Sequence, residues 1–343
     1  MIHSRTEIIA PDWNEVVAAL FGRRILVVGD VMLDDYISGD ARRVCPEAPV
    51  PVIETSRRWC VPGGAGNAAA NVAALGGRAV LGGVTGEDFA ASELTKATRA
   101  AGVDPSGFVQ DNTRPTTTKL RVLARGQQVT RVDTESTETL PSGSASQLAR
   151  WAERMVAESD AVLLSDYGKG AIDGFIAGRV IAAAQKEGRP VVVDPKGTNV
   201  GRYRGATVVK PNLGELRDLS GRPASTPSEV MEAGHGVAQE MPGTAVLVTR
   251  GGDGMALFRA GTAAMVLPAA PARRVYDVTG AGDTAAAALA LALGAGLTIE
   301  LAARVANAAA GLAVCKVGTA VVKPDELLAT LLEAAPDFVP FTV

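Results

Sequence analysis

The sequence predicts an α/β protein: a mostly parallel β-sheet flanked by helices, with a small second β-sheet beside it. Three observations predict this. Continuous apolar runs of strand length recur along the chain, several ending in glycine or a polar residue. Segments with helical periodicity lie between them, which is the rhythm of βαβ units. Two further segments, residues 36–56 and 116–133, break that rhythm. The length of 343 residues suits one large domain and a smaller element.

Taken in order, residues 11–22 form a short amphipathic helix and residues 24–30 (RILVVGD) the first buried strand. Apolar runs at 79–84, 161–165, 190–194, 206–210 and 244–249 supply further strands. Helical patterns at 66–75, 88–101, 144–159, 175–186 and 228–241 supply the crossovers. Ligands of such sheets bind beyond the carboxyl ends of the strands. Asp30, Asp34, Asp166, Asp194, Asn212 and Arg250 lie at or just past such ends. Segment 36–56 is extended and carries Pro46, Pro49 and Pro51, and segment 116–133 (TTKLRVLARGQQVTRVD after its first Thr) reads as a hairpin turning near Gly126. The expected division is therefore a core of residues 1–35, 57–115 and 134–343, with 36–56 and 116–133 as a β-lid over the ligand crevice.

Composition narrows the function. Lys and Arg number 34 and Asp and Glu 37, a net charge of −3, which argues against a general nucleic-acid binder or a polybasic membrane protein. Hydrophobic residues make up 47%, enough for a real core, and aromatics only 4%, so that core is built of Ala, Val and Leu. Cys45, Cys60 and Cys315 form no CxxC pair, which argues against a disulfide framework or zinc ribbon and for a reducing cytoplasm. His3 and His235 are the only histidines, too few for a multi-histidine metal site. The longest apolar run, residues 285–297, is too short to span a bilayer, and the N-terminus shows no apolar leader.

The sharpest local motif is DVTGAGDT, residues 277–284, followed by an Ala/Leu helix. Gly280-Ala281-Gly282 lets the backbone turn tightly and aim N–H groups at one place, and the helix N-terminus adds positive charge, so the segment can hold an anion. A carboxylate is not needed for that. Asp283 therefore suits a proton acceptor for an attacking hydroxyl, or else simply caps the helix. The same stretch matches GxGxxA, but it lacks a preceding first strand, and a Walker A motif is absent, so a dinucleotide or P-loop site is disfavoured.

A second glycine turn, PGGAGN at residues 62–67, feeds a helix. Gly63 and Gly64 admit close approach of a ligand, and Asn67 can bond sugar hydroxyls. Asn212-Leu213-Gly214-Glu215 follows a strand. Asn212 and Glu215 suit a water-mediated magnesium site beside a triphosphate, or a capping box. TRGGDG, containing Thr249, Gly251 and Gly254, suits nucleotide phosphates or a plain turn. Alternation puts Lys119, Arg121 and Arg125 on one face of the hairpin. Arg131 and Asp133 join that face with a three-residue loop and leave it with a two-residue loop. A shared cationic face would suit a phosphorylated substrate.

GGAGN near the start and DVTGAGD near the end, in that order, resemble the ribokinase/PfkB carbohydrate kinase family, from about residue 24 to residue 332. GDVMLDDY, PEAPVPV, LSDYGKG, DPKG and KPNLGE are most similar to its branch that phosphorylates a heptose 7-phosphate on the anomeric C1 hydroxyl, in the form without an adenylyltransferase domain. The resemblance implies a ribokinase-like fold with a β-lid, ATP and Mg2+ as cosubstrate and metal, and a homodimer built through the lid. It implies Asp283 as catalytic base and Gly280, Ala281 and Gly282 as anion hole. It implies Asn212, Leu213, Gly214, Glu215, Thr249, Gly251, Gly254, Asn307 and Gly311 around ATP, with Glu215 near magnesium through water. Asp34, Gly63, Gly64 and Asn67 would hold sugar hydroxyls, and Lys119, Arg121 and Arg131 the phosphate. The alternative is a kinase of the same family acting on a phosphorylated hexose, ribose or a nucleoside. Lys210, before Pro-Asn, is a departure from many relatives; it could reach phosphate or face solvent.

Overall fold

The computed structural model describes residues 11–270, 275–316, 318, 321–334 and 336–342. The N-terminal segment with His3, and residues 273–274 before the glycine turn, lie outside these. Along the chain, α1 (Trp13–Leu20) leads to β1 (Arg24–Gly29), β2 (Val31–Val44), β3 (Pro51–Gly64), α2 (Ala65–Ala74), β4 (Arg78–Thr85), α3 (Phe89–Ala100) and β5 (Asp104–Gln110). Next come β6 (Thr118–Ala124), β7 (Gln127–Thr134), α4 (Ser142–Ala157), β8 (Ala161–Ser165), α5 (Gly174–Lys186), β9 (Val191–Asp194), β10 (Val208–Val209), α6 (Leu213–Ser220) and α7 (Pro227–Glu240). The chain closes with β11 (Ala245–Thr249), β12 (Met255–Phe258), β13 (Met265–Leu267), α8 (Ala281–Gly294), α9 (Ile299–Ala313), α10 (Pro324–Ala334) and β14 (Val339–Pro340).

The large sheet runs β14-β13-β12-β11-β10-β9-β8-β1-β4-β5. From β11 to β5 every pairing is parallel, and β12, β13 and β14 add an antiparallel edge. Of the antiparallel edge strands, β13 and β14 are too short to show as apolar runs, β12 (MALF) is an apolar run outside the strands expected from the sequence, and β5 (DPSGFVQ) has no apolar run of strand length. Strand alternation splits the core in two. Ile25 and Val27 of β1 face the helices α1, α2, α8, α9 and α10, while Leu26 and Val28 face α4, α5, α6 and α7. Helix α8 is apolar on every side and accordingly buried from Asp283 to Leu293.

Helix α4 sits so close to β4 and β5 that Trp151 lies across two glycines. A Cβ on Gly82 would stand 2.2 Å from the indole ring, and one on Gly107 2.3 Å. Gly82→Ala is expected to cost about 1–3 kcal/mol by overpacking. Chemical denaturation of the variant measures this; an unchanged midpoint would refute the close fit.

The second sheet has the order β3-β2-β6-β7. Strands β2 and β3 begin at Val31 and end at Gly64, so they reach past residues 36–56 into the core's edge. The hairpin turns on Arg125 (φ 51°) and Gly126 (φ 82°), a two-residue turn of mirror-image type. That loop alone would send Arg131 to the far face. A bulge at Val129 adds one residue to β7 and restores it: Arg121 pairs with Arg131 and Lys119 with Asp133.

Candidate active site

The site forms where β1, β8, β9, β10 and β11 end. Gly280, with φ 78°, is the N-cap of α8, and no side chain caps that helix. Asp283 is therefore not the cap. Its carboxylate turns inward, where Oδ2 accepts from Asn67 Nδ2 at 2.6 Å and Oδ1 from the Tyr167 hydroxyl at 2.5 Å. Asn67 is on the first turn of α2, directly after the Gly63-Gly64 turn. Gly63 is required there: a Cβ would stand 2.5 Å from Asp34 Oδ2. Helix amides beside a buried carboxylate are an arrangement that can hold an anion and accept a proton within one turn of chain.

A cavity of about 790 Å3 opens beyond Asp283. Asn212, Leu213, Gly214, Glu215, Thr249, Gly251, Gly254, Asn307 and Gly311 all line it, together with Gly280, Ala281 and Gly282. Asp34, Gly63, Gly64 and Asn67 stand outside that lining and meet it at Asp283 through Asn67. Asn212 and Glu215 do form a capping box on α6: Asn212 Oδ1 accepts from the Glu215 N–H and Glu215 Oε2 from the Asn212 N–H. The other Glu215 oxygen lies 3.4 Å from Lys196 Nζ.

The lid cations are paired with carboxylates. Arg121 Nη1 donates to Asp34 Oδ1 at 2.5 Å, Lys119 Nζ reaches Asp133 and Glu135 at 3.0 and 3.3 Å, and Arg131 bonds Asp133. The shared cationic face exists, and acidic neighbours neutralise it.

Lys210 does not face solvent. It is 2% exposed, its Nζ bonds Asp194 Oδ1 at 2.9 Å, and it lies beneath Gly282. Burial pushes Asp194 up to about 7, against the pull of Lys210. Burial works against charge on Lys210 too, but Asp194 and Glu215 outweigh it and hold the ammonium above its usual value. Burial also raises Asp283, while the bonds from Tyr167 and Asn67 and the charge of Lys210 pull it back.

Tyr167 and Lys196 line the cavity; LSDYGKG and DPKG carry them in the family resemblance, but no role for either residue follows from the sequence. The available signal is position: both follow an aspartate at a strand end, Asp166 and Asp194. The Tyr167 loop is pinned. Asp30 accepts from the N–H groups of Tyr167, Lys169 and Ala171 at 2.7, 3.0 and 2.9 Å, and Asp166 accepts from Gly168 N–H and the Tyr203 hydroxyl.

A glycine turn opening a helix, a buried carboxylate and a cavity at the strand ends suit a small-molecule kinase without a P-loop. Comparison with known proteins makes this specific. The pfkB family carbohydrate kinase model matches residues 23–326, and the chain belongs to that family. The chain is 44% identical over 317 residues to the bifunctional protein HldE of Azorhizobium caulinodans, covering 92% of this chain and 66% of that protein. It is 46% identical over 303 residues to HldE of Pseudomonas aeruginosa strain PAO1, covering 88% and 62%. The chain thus spans about two thirds of the length of these curated relatives. Among solved structures, Arabidopsis thaliana ribokinase complexed with ribose and ATP superposes with a TM-score of 0.70 at 26% identity, covering 91% of this chain and 99% of that one. The fold is ribokinase-like.

Proposed function

We propose that the chain is D-glycero-β-D-manno-heptose-7-phosphate kinase, transferring the γ-phosphoryl group of ATP to the anomeric C1 hydroxyl to give the 1,7-bisphosphate for ADP-heptose synthesis. The observation that carries the kinase chemistry is Asp283, held by Asn67 on the sugar side and opening onto the nucleotide cavity. The choice of heptose rests on the likeness to HldE proteins.

The sugar would bind against Asp34, Gly63, Gly64 and Asn67, with C1 facing Asp283. Asp283 takes the hydroxyl proton as the oxygen attacks the γ-phosphorus in line, and the amides of Gly280, Ala281 and Gly282 stabilise the negative charge on the transferring group. The triphosphate would lie along Asn212–Glu215 and the 249–254 turn, with the base toward Asn307 and Gly311. Among the described residues no group of three or more His, Cys, Asp or Glu could hold a metal directly. Glu215, tied to Asn212 and Lys196, fits a contact to magnesium through water, since that ion keeps several of its waters. Bound magnesium would supply charge neutralisation at the phosphates. Lid closure would exclude water from this transfer. The exposed β7 strand of the lid supports a homodimer formed through that sheet.

The 7-phosphate is assigned to Lys119, Arg121 and Arg131, which it would draw away from Asp34, Asp133 and Glu135. Arg121→Gln is expected to raise KM for the sugar phosphate about 10–100-fold, the range of a lost charge-assisted bond, with KM for ATP unchanged. Steady-state kinetics with each substrate varied checks it; a matched rise for ATP would contradict the assignment.

The deciding experiment is ADP release with ATP and magnesium across a panel including heptose 7-phosphate, fructose 6-phosphate and ribose. Strong preference for heptose 7-phosphate supports the proposal. Activity confined to another sugar keeps the Asp283 mechanism and removes the heptose assignment.

A further inference from the structure

Asp283 has two carboxylate oxygens and one hydrogen-bond donor on each: Asn67 on Oδ2 and the Tyr167 hydroxyl on Oδ1. The charges facing it pull both ways. Lys210, beyond β10, favours the ionised carboxylate, while Asp34 on β2 and Asp194 at the end of β9 disfavour it, and Glu215 on α6 adds to the acidic side of the same cavity. Burial opposes ionisation and the charges are divided, so the two hydrogen bonds are the main contacts that favour the carboxylate.

Tyr167 is also placed with unusual firmness. Three backbone N–H groups of its loop, including its own, converge on the buried Asp30 carboxylate, and Gly168 N–H is held by Asp166. Packing alone would need only the ring. A loop pinned at four amides holds the hydroxyl at one point, and at that point stands Asp283.

We propose that Tyr167 is a positioning residue: its hydroxyl keeps Asp283 ionised and in a single orientation before the sugar arrives. This rests on Asp283 being the proton acceptor of the proposed kinase. Tyr167 gives up no proton in the reaction. Its O–H donates throughout, and the proton that Asp283 gains comes from the sugar hydroxyl.

Tyr167→Phe removes one oxygen and keeps the ring. The acid limb of kcat/KM against pH is expected to move up by about one to two units, the scale of losing a hydrogen bond to a charged group. Activity is expected to be lost more fully than in the parent as pH falls through the limb, and to return well above it. An infrared titration gives a readout independent of turnover. The protonated-carboxyl band that is absent from Asp283→Asn belongs to Asp283, and its midpoint should be higher in Tyr167→Phe than in the parent. If no sugar in the panel is phosphorylated but the infrared midpoint moves, the kinase reading fails and the positioning of Asp283 by Tyr167 stands. An equal infrared midpoint in the two proteins overturns the inference, as does a uniform change in kcat/KM at every pH, whether a loss or a gain.

Discussion

Asp283→Asn is expected to lower kcat at least about 10²-fold, the scale of a positioned general base, while ATP affinity stays close to that of the parent. The substitution preserves size, and its carboxamide oxygen can still accept from Asn67 or Tyr167, so the pocket keeps its shape. What is lost is the ability to take a proton. The nucleotide cavity owes most of its walls to the backbone of Gly280–Gly282, the start of α6, the 249–254 turn and α9, which make no hydrogen bond to the Asp283 carboxylate. Turnover and calorimetric binding of a non-hydrolysable ATP analogue separate the two effects. Near-normal turnover in the variant would remove Asp283 from the mechanism. In the parent enzyme the carboxylate must be ionised to act. Burial raises its titration above the ordinary carboxylate value of 3.8, so activity is expected to fall as the pH drops through that raised limb.

The second large effect concerns stability. Lys210→Met removes the counter-ion of Asp194 inside the protein. Below pH 7 the change is expected to cost little, because Asp194, titrating at about 7, is already largely protonated and a buried ammonium is removed with it. Above pH 7 the two proteins diverge. In the parent the carboxylate ionises beside Lys210. In the variant it has no partner, its folded titration lies higher still above the unfolded value near 3.8, and stability continues to be lost as pH rises toward that value. At pH 8.5 the deficit should reach about 2 kcal/mol, at roughly 1.4 kcal/mol for each unit that Asp194 stays protonated. Denaturant unfolding at pH 6 and pH 8.5 measures it. The same deficit at both values would mean that Lys210 stabilises by packing and not by charge.

The parallel strands were legible because β1, β8, β9 and β11 are buried on both faces and so read as unbroken apolar runs. DVTGAGDT and PGGAGN were legible because glycine turns that feed helices leave a compositional mark. Strand β5 and the β13–β14 edge were not, since half-exposed strands and strands of two or three residues carry too few apolar positions to show a period; β12 (MALF) is apolar and buried but lay outside the expected strands. The role of Tyr167, which lies in the LSDYGKG motif, was not legible for another reason: its partner Asp283 is 116 residues away, and no local pattern records a contact of that range.

Within the active site the division is sharp. From the sequence alone came a carboxylate inside an anion-binding turn, a second glycine turn with an asparagine, and a basic hairpin, all set at the ends of a parallel sheet, because residue type and backbone freedom are local properties. The tertiary structure alone decided that Asp283 faces Asn67 and Tyr167 instead of capping its own helix. It also decided that Lys210 is buried against Asp194, and that the hairpin cations share a face and are neutralised there. The first two depend on side chains from distant strands meeting in a buried space, the third on the pairing of adjacent lid strands. In the buried space each polar group must find a partner, and in the lid the register of one bulge at Val129 determines which partner is within reach.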